Sequence, residues 1–266
     1  MLMGQGGRLG DATGSFWSAG WLVCAVKSGP LTLDVLGVER GKRGTTKSLR
    51  LHEEWQHMNR RALLMAMRVT FGLLALTAIG RQFVIQVQSG FSIVNFFSFF
   101  TNLSNIFAAV VLLRGAALLS AHRRPSGVDE LLRCLAVVYM AVVGVLFAIL
   151  LRGVDLGSLL PWVNVVLHYI MPVAVVVEWM IQPPPAGTGA QRWLIGQTVP
   201  LLYLAYVLIR GAIVGWYPYP FLDPELGGYG RVAGYVVGIM LLFLFAYWAV
   251  TASASRVGRS VDAVTG

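Results

Sequence analysis

Two stretches of this chain put hydrogen-bonding and ionisable side chains where apolar ones are expected. In NFFSFFTNLSN, residues 95–105, Ser98, Thr101 and Ser104 or Asn105 recur at helical spacing and so share one face, with Asn102 about a quarter turn away. In PWVNVVLHYIMPV, residues 161–173, Asn164 and His168 stand one helical turn apart on a common face. Pro172 has no N–H to give the carbonyl of His168, so that carbonyl is released and a kink is expected there. An imidazole titrates near neutral pH, and an ionisable group inside a membrane helix marks a functional position by default. The plainer reading of the same residues is hydrogen bonding between helices, each bond adding about 0.6–2 kcal/mol. That plainer reading is expected for Asn95, Ser98 and Ser104.

The elements that position these groups follow from composition. The chain has 266 residues, of which 56% are hydrophobic and only 12% charged, against roughly 25% charged in a typical soluble domain. Mean hydropathy is +0.68. Several apolar runs reach the ~20 residues that cross a bilayer as a helix, and they are continuous rather than alternating, which argues against a barrel. The expected fold is all-α: a polytopic membrane protein built as a six-transmembrane-helix bundle, with segments at 62–80, 95–119, 131–151, 162–181, 193–214 and 231–252. Arg68 interrupts the first run and no small-residue cleavage site follows, so it is read as a retained helix. The sixth opens with Gly230, Gly234 and Gly238 on one stripe, a pattern that lets a neighbouring backbone approach closely.

The net charge of +9 does not point to nucleic acid, because the basic residues sit at the ends of apolar segments and report orientation. Arg60, Arg61, Arg123, Arg124, Arg133, Arg192, Arg256 and Arg259 fall on one side; Arg81, Arg152, Arg210 and Arg231 fall on the other, beside Asp155, Asp223 and Glu225. Both termini are therefore expected in the cytoplasm and the protein in the cell membrane, with membrane lipids as its surroundings. Residues 1–57 are Gly-rich and basic and are expected to form a disordered tail, with the true start at Met58 or Met65. Residues 58–254 form the membrane domain and 255–266 a cytoplasmic tail. Cys24 and Cys134 lie far apart with no metal-ligand spacing, so neither a disulfide nor a metal site is expected, and no motif calls for a cofactor. Oligomeric state is left open.

Under this topology Thr101 and His168 each lie about six residues inside the outer boundary, at a common depth of roughly 9 Å. They could meet in one polar cavity. Arg152 and Arg210 end the third and fifth segments on the same side, where each could bind an anionic group through its planar fork or snorkel to lipid phosphate. The stretch GWYPYPFLDPELGG, residues 215–228, reads as an aromatic cap over the outer mouth or as an interfacial anchor. Asp223 within it could pair with Arg210 or Arg231. Glu178 shares the face of Asn164 and His168 but lies about 15 Å further along the axis.

Taken in order, FFTNLSN, WVNVVLH followed by a proline and Glu178-Trp179, and WYPYPFLDP resemble the androgen-induced-gene family and, more closely, its bacterial six-helix relatives. The resemblance covers about residues 60–250. Animal members are multipass hydrolases that cleave fatty acid esters of hydroxy fatty acids with an intramembrane threonine and a histidine. The resemblance implies Thr101 as nucleophile and His168 as its partner, although the residues after Thr101 and the interval to His168 differ from the animal pattern. Such a pair is chemically sensible, since a hydroxyl attacks only once a base takes its proton. Asn102, Asn105 or Asn164 could then donate to the oxyanion, with Arg152 or Arg210 on a substrate carboxylate. Neither GxSxG nor HExxH occurs. The expectation is a Thr/His-dependent lipid-ester hydrolase; the alternatives are a non-catalytic lipid or small-molecule binding protein, a transporter, or a stabilising subunit.

Overall fold

The computed structural model describes residues 41–154, 159–183 and 190–265, with side chains for 58–154, 159–183 and 195–253. Residues 1–40 of the expected tail, Cys24 and Asp155 lie outside the described residues. The chain divides into units Met1–Ser48 and Leu49–Gly266; of the first, only the helical stretch 41–48 is described.

Among the described residues eight α-helices follow in order: α1 Gly41–Gln88, α2 Ile93–Phe97, α3 Phe100–Ser120, α4 Gly127–Leu146, α5 Pro161–Val165, α6 Met171–Ile181, α7 Ala190–Val214 and α8 Gly228–Thr265. α1 thus begins within the stretch expected as a tail. π-helical turns extend α4 over Phe147–Leu151 and join α5 to α6 over Val166–Ile170. Six spans among the described residues are long and apolar enough to cross a membrane: Met58–Gln88, Phe100–Ser120, Gly127–Leu151, Pro161–Ile181, Ile195–Val214 and Gly228–Ser253. The protein is an all-α, multi-pass integral membrane protein.

The core forms around α4, which packs against α3, α6 and α8. Its Val138, Met140 and Val142 are completely buried. Ser126 and Asp129 start α4 with reciprocal side-chain-to-backbone bonds, so the first turn leaves fewer orphan N–H groups. α8 turns Val232, Ile239, Phe243, Ala246 and Tyr247 inward. The glycine stripe therefore falls on its far side: nothing lies within 4 Å of a Cβ placed at Gly230, Gly234 or Gly238. The close approach expected along that stripe does not occur among the described residues, because the larger apolar residues supply the buried face.

The second segment also differs from a single helix over 95–119. α2 ends at Phe97, Phe99 is extended, and α3 starts at Phe100. The Ser98 hydroxyl bonds the Val94 carbonyl at 2.7 Å and the Tyr206 hydroxyl of α7 at 3.0 Å, giving the backbone an alternative to helix. Asn95 also bonds across the bundle, to Arg210. Ser104 instead bonds carbonyls of its own helix, Phe100 and Thr101, so the interhelical role expected of it is not seen.

At the end of the bundle where α3 and α6 finish and α4 begins, charges are buried. Arg68 of α1 grips Glu178 of α6 and adds Gly115 O at 3.2 Å and Gln182 Oε1 at 2.9 Å. Arg133 of α4 reaches the same carboxylate at 3.2 Å. Arg60 and Arg61 donate to the carbonyls of Ile181 and Leu119, where the helix dipoles of α6 and α3 favour positive charge. Arg114 pairs with Asp129 at 2.5 Å.

Candidate functional site

At the other end, beneath the loop joining α7 to α8, lies a cavity of about 470 Å³. Thr101 and Asn102 from α3, His168 from the second π turn, and Tyr219 from the loop all line it. Gln82 and Gln86 of α1 close one side. The loop expected as a cap supplies Trp216 through Pro220, so the aromatic residues do roof the cavity.

Thr101 is the second residue of α3, not a residue six positions into a continuous helix. A helix start buried in a bundle carries N–H groups with no intrahelical partner. Phe99, the capping residue, has no side-chain oxygen to offer, and tyrosine hydroxyls take that place. The Phe100 N–H donates to Tyr203 Oη at 3.2 Å, and Tyr203 in turn donates to the Ser98 carbonyl at 2.8 Å, bridging the break. The Thr101 N–H donates to Tyr219 Oη at 3.3 Å. Burial pushes the Tyr219 phenol above its ordinary range, while hydrogen bonds from the Thr101 side chain and backbone pull it partly back. Tyr219 therefore stays protonated at neutral pH and keeps a proton to donate beside Thr101.

His168 is positioned by Pro172. The missing N–H is absorbed by the π turn Val166–Ile170 in place of a simple kink. Gly144 of α4 leaves room for the bulge: a Cβ there would stand 3.1 Å from Pro172 Cβ. The His168 ring stacks on Phe147, centroids 4.1 Å apart and planes at 21°. Nδ1 lies 3.2 Å from the Asn164 carbonyl. A carbonyl only accepts, so Nδ1 carries the proton and Nε2 is left as the basic nitrogen. Nε2 has no hydrogen-bond partner among the described residues. No hydrogen bond joins Thr101 to the imidazole; the two share the cavity wall.

The other expected site residues separate into two groups. Asn102 lies on the wall and donates one amide N–H to the Phe96 carbonyl at 2.8 Å, leaving the second available. Asn105 is fully buried, and its amide spans the Thr101 and Leu167 carbonyls at 2.9 and 3.2 Å. It ties the start of α3 to the residue before His168, with no donor left for an oxyanion. Asn164 meets His168 through its backbone carbonyl, and its Oδ1 is buried without a partner. Arg152 is exposed at the end of the first π turn, and Arg210 is committed to Asn95 and to the face of Trp216, 5.5 Å away. Neither arginine lines the cavity.

Tyr203, Tyr219, Gln82 and Gln86 belong to the site without having been singled out from the sequence. The signal for Tyr219 was its place between two prolines, which hold the backbone extended and turn the ring inward. Gln82 accepts from the Leu160 N–H at 3.1 Å and so anchors the start of α5.

The roof rests on α7 through Gly211. A Cβ at Gly211 would stand 2.1 Å from the Tyr217 ring, well inside contact distance. Gly211→Ala is expected to expel that ring and lower stability by about 1–3 kcal/mol, read as a drop in thermal midpoint in detergent. Adding Gly211→Ala to a Tyr217→Ala protein should then cost almost nothing; a full additional loss would disprove the contact. Comparison of the chain with protein families, with curated proteins and with solved structures finds no match to any of them.

Proposed function

We propose that the protein is an intramembrane hydrolase of lipid esters, with Thr101 as nucleophile and His168 as its base. The observation that carries this reading is that both residues, from different helices, line one roofed cavity while His168 Nε2 has no hydrogen-bond partner among the described residues. The resemblance to the androgen-induced-gene family points the same way. In this reading Nε2 takes the proton as Thr101 Oγ attacks the ester carbonyl carbon. The Tyr219 hydroxyl and the second N–H of Asn102 donate to the carbonyl oxygen as it gains charge. The carbon–alkoxy bond breaks, and the imidazolium returns the proton to the leaving alcohol. Water then attacks the acyl-threonine, His168 again taking a proton and restoring it to Oγ.

In this reading the cavity opens towards the outer face of the cell membrane and the termini lie in the cytoplasm, an orientation that the arginine bias supports. Attack requires the hydroxyl and the imidazole to close on the substrate, since no direct hydrogen bond links them at rest; catalytic contacts often tighten only in the complex. That same gap favours the second reading, a lipid-binding protein without turnover.

A fluorophosphonate probe separates the two. The wild type is expected to be labelled at Thr101, identified by peptide mass spectrometry, and Thr101→Val to fall to background with its thermal midpoint little changed. Equal labelling of both proteins would end the nucleophile assignment and leave binding as the function.

A further inference from the structure

The cavity wall carries one full charge among the described residues, and it is negative. Asp223 lines the cavity, half-buried between two short 3₁₀ turns, Pro220–Leu222 and Pro224–Leu226. Its Oδ1 accepts the Glu225 N–H at 2.9 Å. No described residue forms an ion pair with it. The two cations that the sequence offered as partners are held elsewhere: Arg210 on Asn95 and Trp216, Arg231 on the Leu226 carbonyl at 2.9 Å and over Tyr235. The same wall presents the rings of Trp216, Tyr217 and Tyr219. Aromatic faces beside an unpaired carboxylate attract an alkylammonium group and repel a carboxylate.

Thr101 also borders a second, apolar crevice of about 40 Å³, bounded by Leu146, Phe221, Ile239 and Phe243. Leu151 and Tyr219, like Thr101, line both spaces. A ligand whose carbonyl reaches Thr101 would thus have its apolar start in the crevice and its polar end under the roof, against Asp223.

We infer that the cavity takes an acyl amphiphile whose polar end carries an ammonium group, such as a fatty acyl ester of an amino alcohol, and discriminates against free carboxylates. The ester part of this inference rests on the hydrolase reading; the charge preference does not. For hydrolysis, the C–O bond to the amino alcohol breaks, the acyl group passes to Thr101 and the alcohol leaves with the proton from His168.

The test uses full-length protein in nanodiscs of uncharged lipid. Binding of dodecyltrimethylammonium, dodecanoate and an uncharged dodecyl glycoside is followed by tryptophan fluorescence. The trimethylammonium compound is expected to bind about tenfold more tightly than dodecanoate. Asp223→Asn, which retains the cap to Glu225, should abolish the preference, and Asp223→Lys should reverse it. Equal binding of the two ions by the wild type, or a preference unchanged in Asp223→Asn, overturns the inference. Thr101→Val should keep the preference while losing hydrolysis of lauroylcholine. If wild type shows the preference but hydrolyses no ester, the hydrolase reading fails and the ammonium site stands.

Discussion

Replacing His168 with alanine is expected to lower turnover of an acyl ester by about 10²- to 10⁴-fold, the contribution of a positioned general base. KM should change little, because the imidazole is one part of a wall shared with six other aromatic rings and several amides. Loss of the stack on Phe147 would cost about 0.5–1.5 kcal/mol of stability, a shift small enough to leave the bundle folded. The truncation opens space beside a cavity of about 470 Å³, so added imidazole should restore part of the rate in His168→Ala and none in Thr101→Val. That contrast distinguishes a base from a residue that merely packs. A rate within threefold of wild type, with the midpoint preserved, would remove His168 from the mechanism.

The second large effect lies at the opposite end of the bundle and concerns stability. Glu178 is 3% exposed and accepts from both Arg68, 3% exposed, and Arg133, 6% exposed. Glu178→Ala would leave the buried Arg68 guanidinium without a carboxylate and Arg133 with Glu130 alone, 3.1 Å away, a change expected to cost about 3–5 kcal/mol. Glu178→Gln should cost less, since an amide oxygen still accepts from Arg68. Chemical unfolding in detergent measures both. The molecules that remain folded should keep their fluorophosphonate reactivity, because Glu178 is ten positions from His168, roughly 15 Å along a helix. A loss below ~1 kcal/mol in Glu178→Ala would show that the remaining partners, Gln182 for Arg68 and Glu130 for Arg133, suffice to hold the two charges.

These effects arise from residues that the sequence exposes to very different degrees. Thr101 and His168 are legible because polar groups stand out in long apolar runs. The depth count that set them side by side assumed one helix over 95–119, and the break at Phe99 removes that basis. Asn105 is equally conspicuous, yet its use is not: only the packing of α3 against the π turn shows its amide spent on the carbonyls of Thr101 and Leu167. Arg210 was a plausible anion clamp by position, and the short segment α2 puts Asn95 in its path. Arg68 read as an interruption of an apolar run, because its partner is contributed by a helix far along the chain.

Local chemistry also misleads where tertiary partners can replace backbone ones. The run 95–119 has the hydropathy of one helix, but hydroxyls of Tyr203, Tyr206 and Tyr219 satisfy groups freed at a break. The glycines of α8 predict close packing, and the buried face of that helix lies elsewhere. In each case the sequence records what a residue can do, while its neighbours decide what it does.

By itself, then, the sequence determined that the chain is a six-span helical membrane protein, because burying backbone in lipid demands long apolar helices and leaves that demand visible in composition. It also marked one hydroxyl and one imidazole as out of place. Tertiary structure alone decided that these two face a common cavity, that tyrosines cap the helix beginning at Phe100, and that among the described residues the wall carries Asp223 and no arginine. Those outcomes depend on contacts between segments distant in the chain, where side-chain geometry rather than local pattern sets which hydrogen bonds and charges are satisfied.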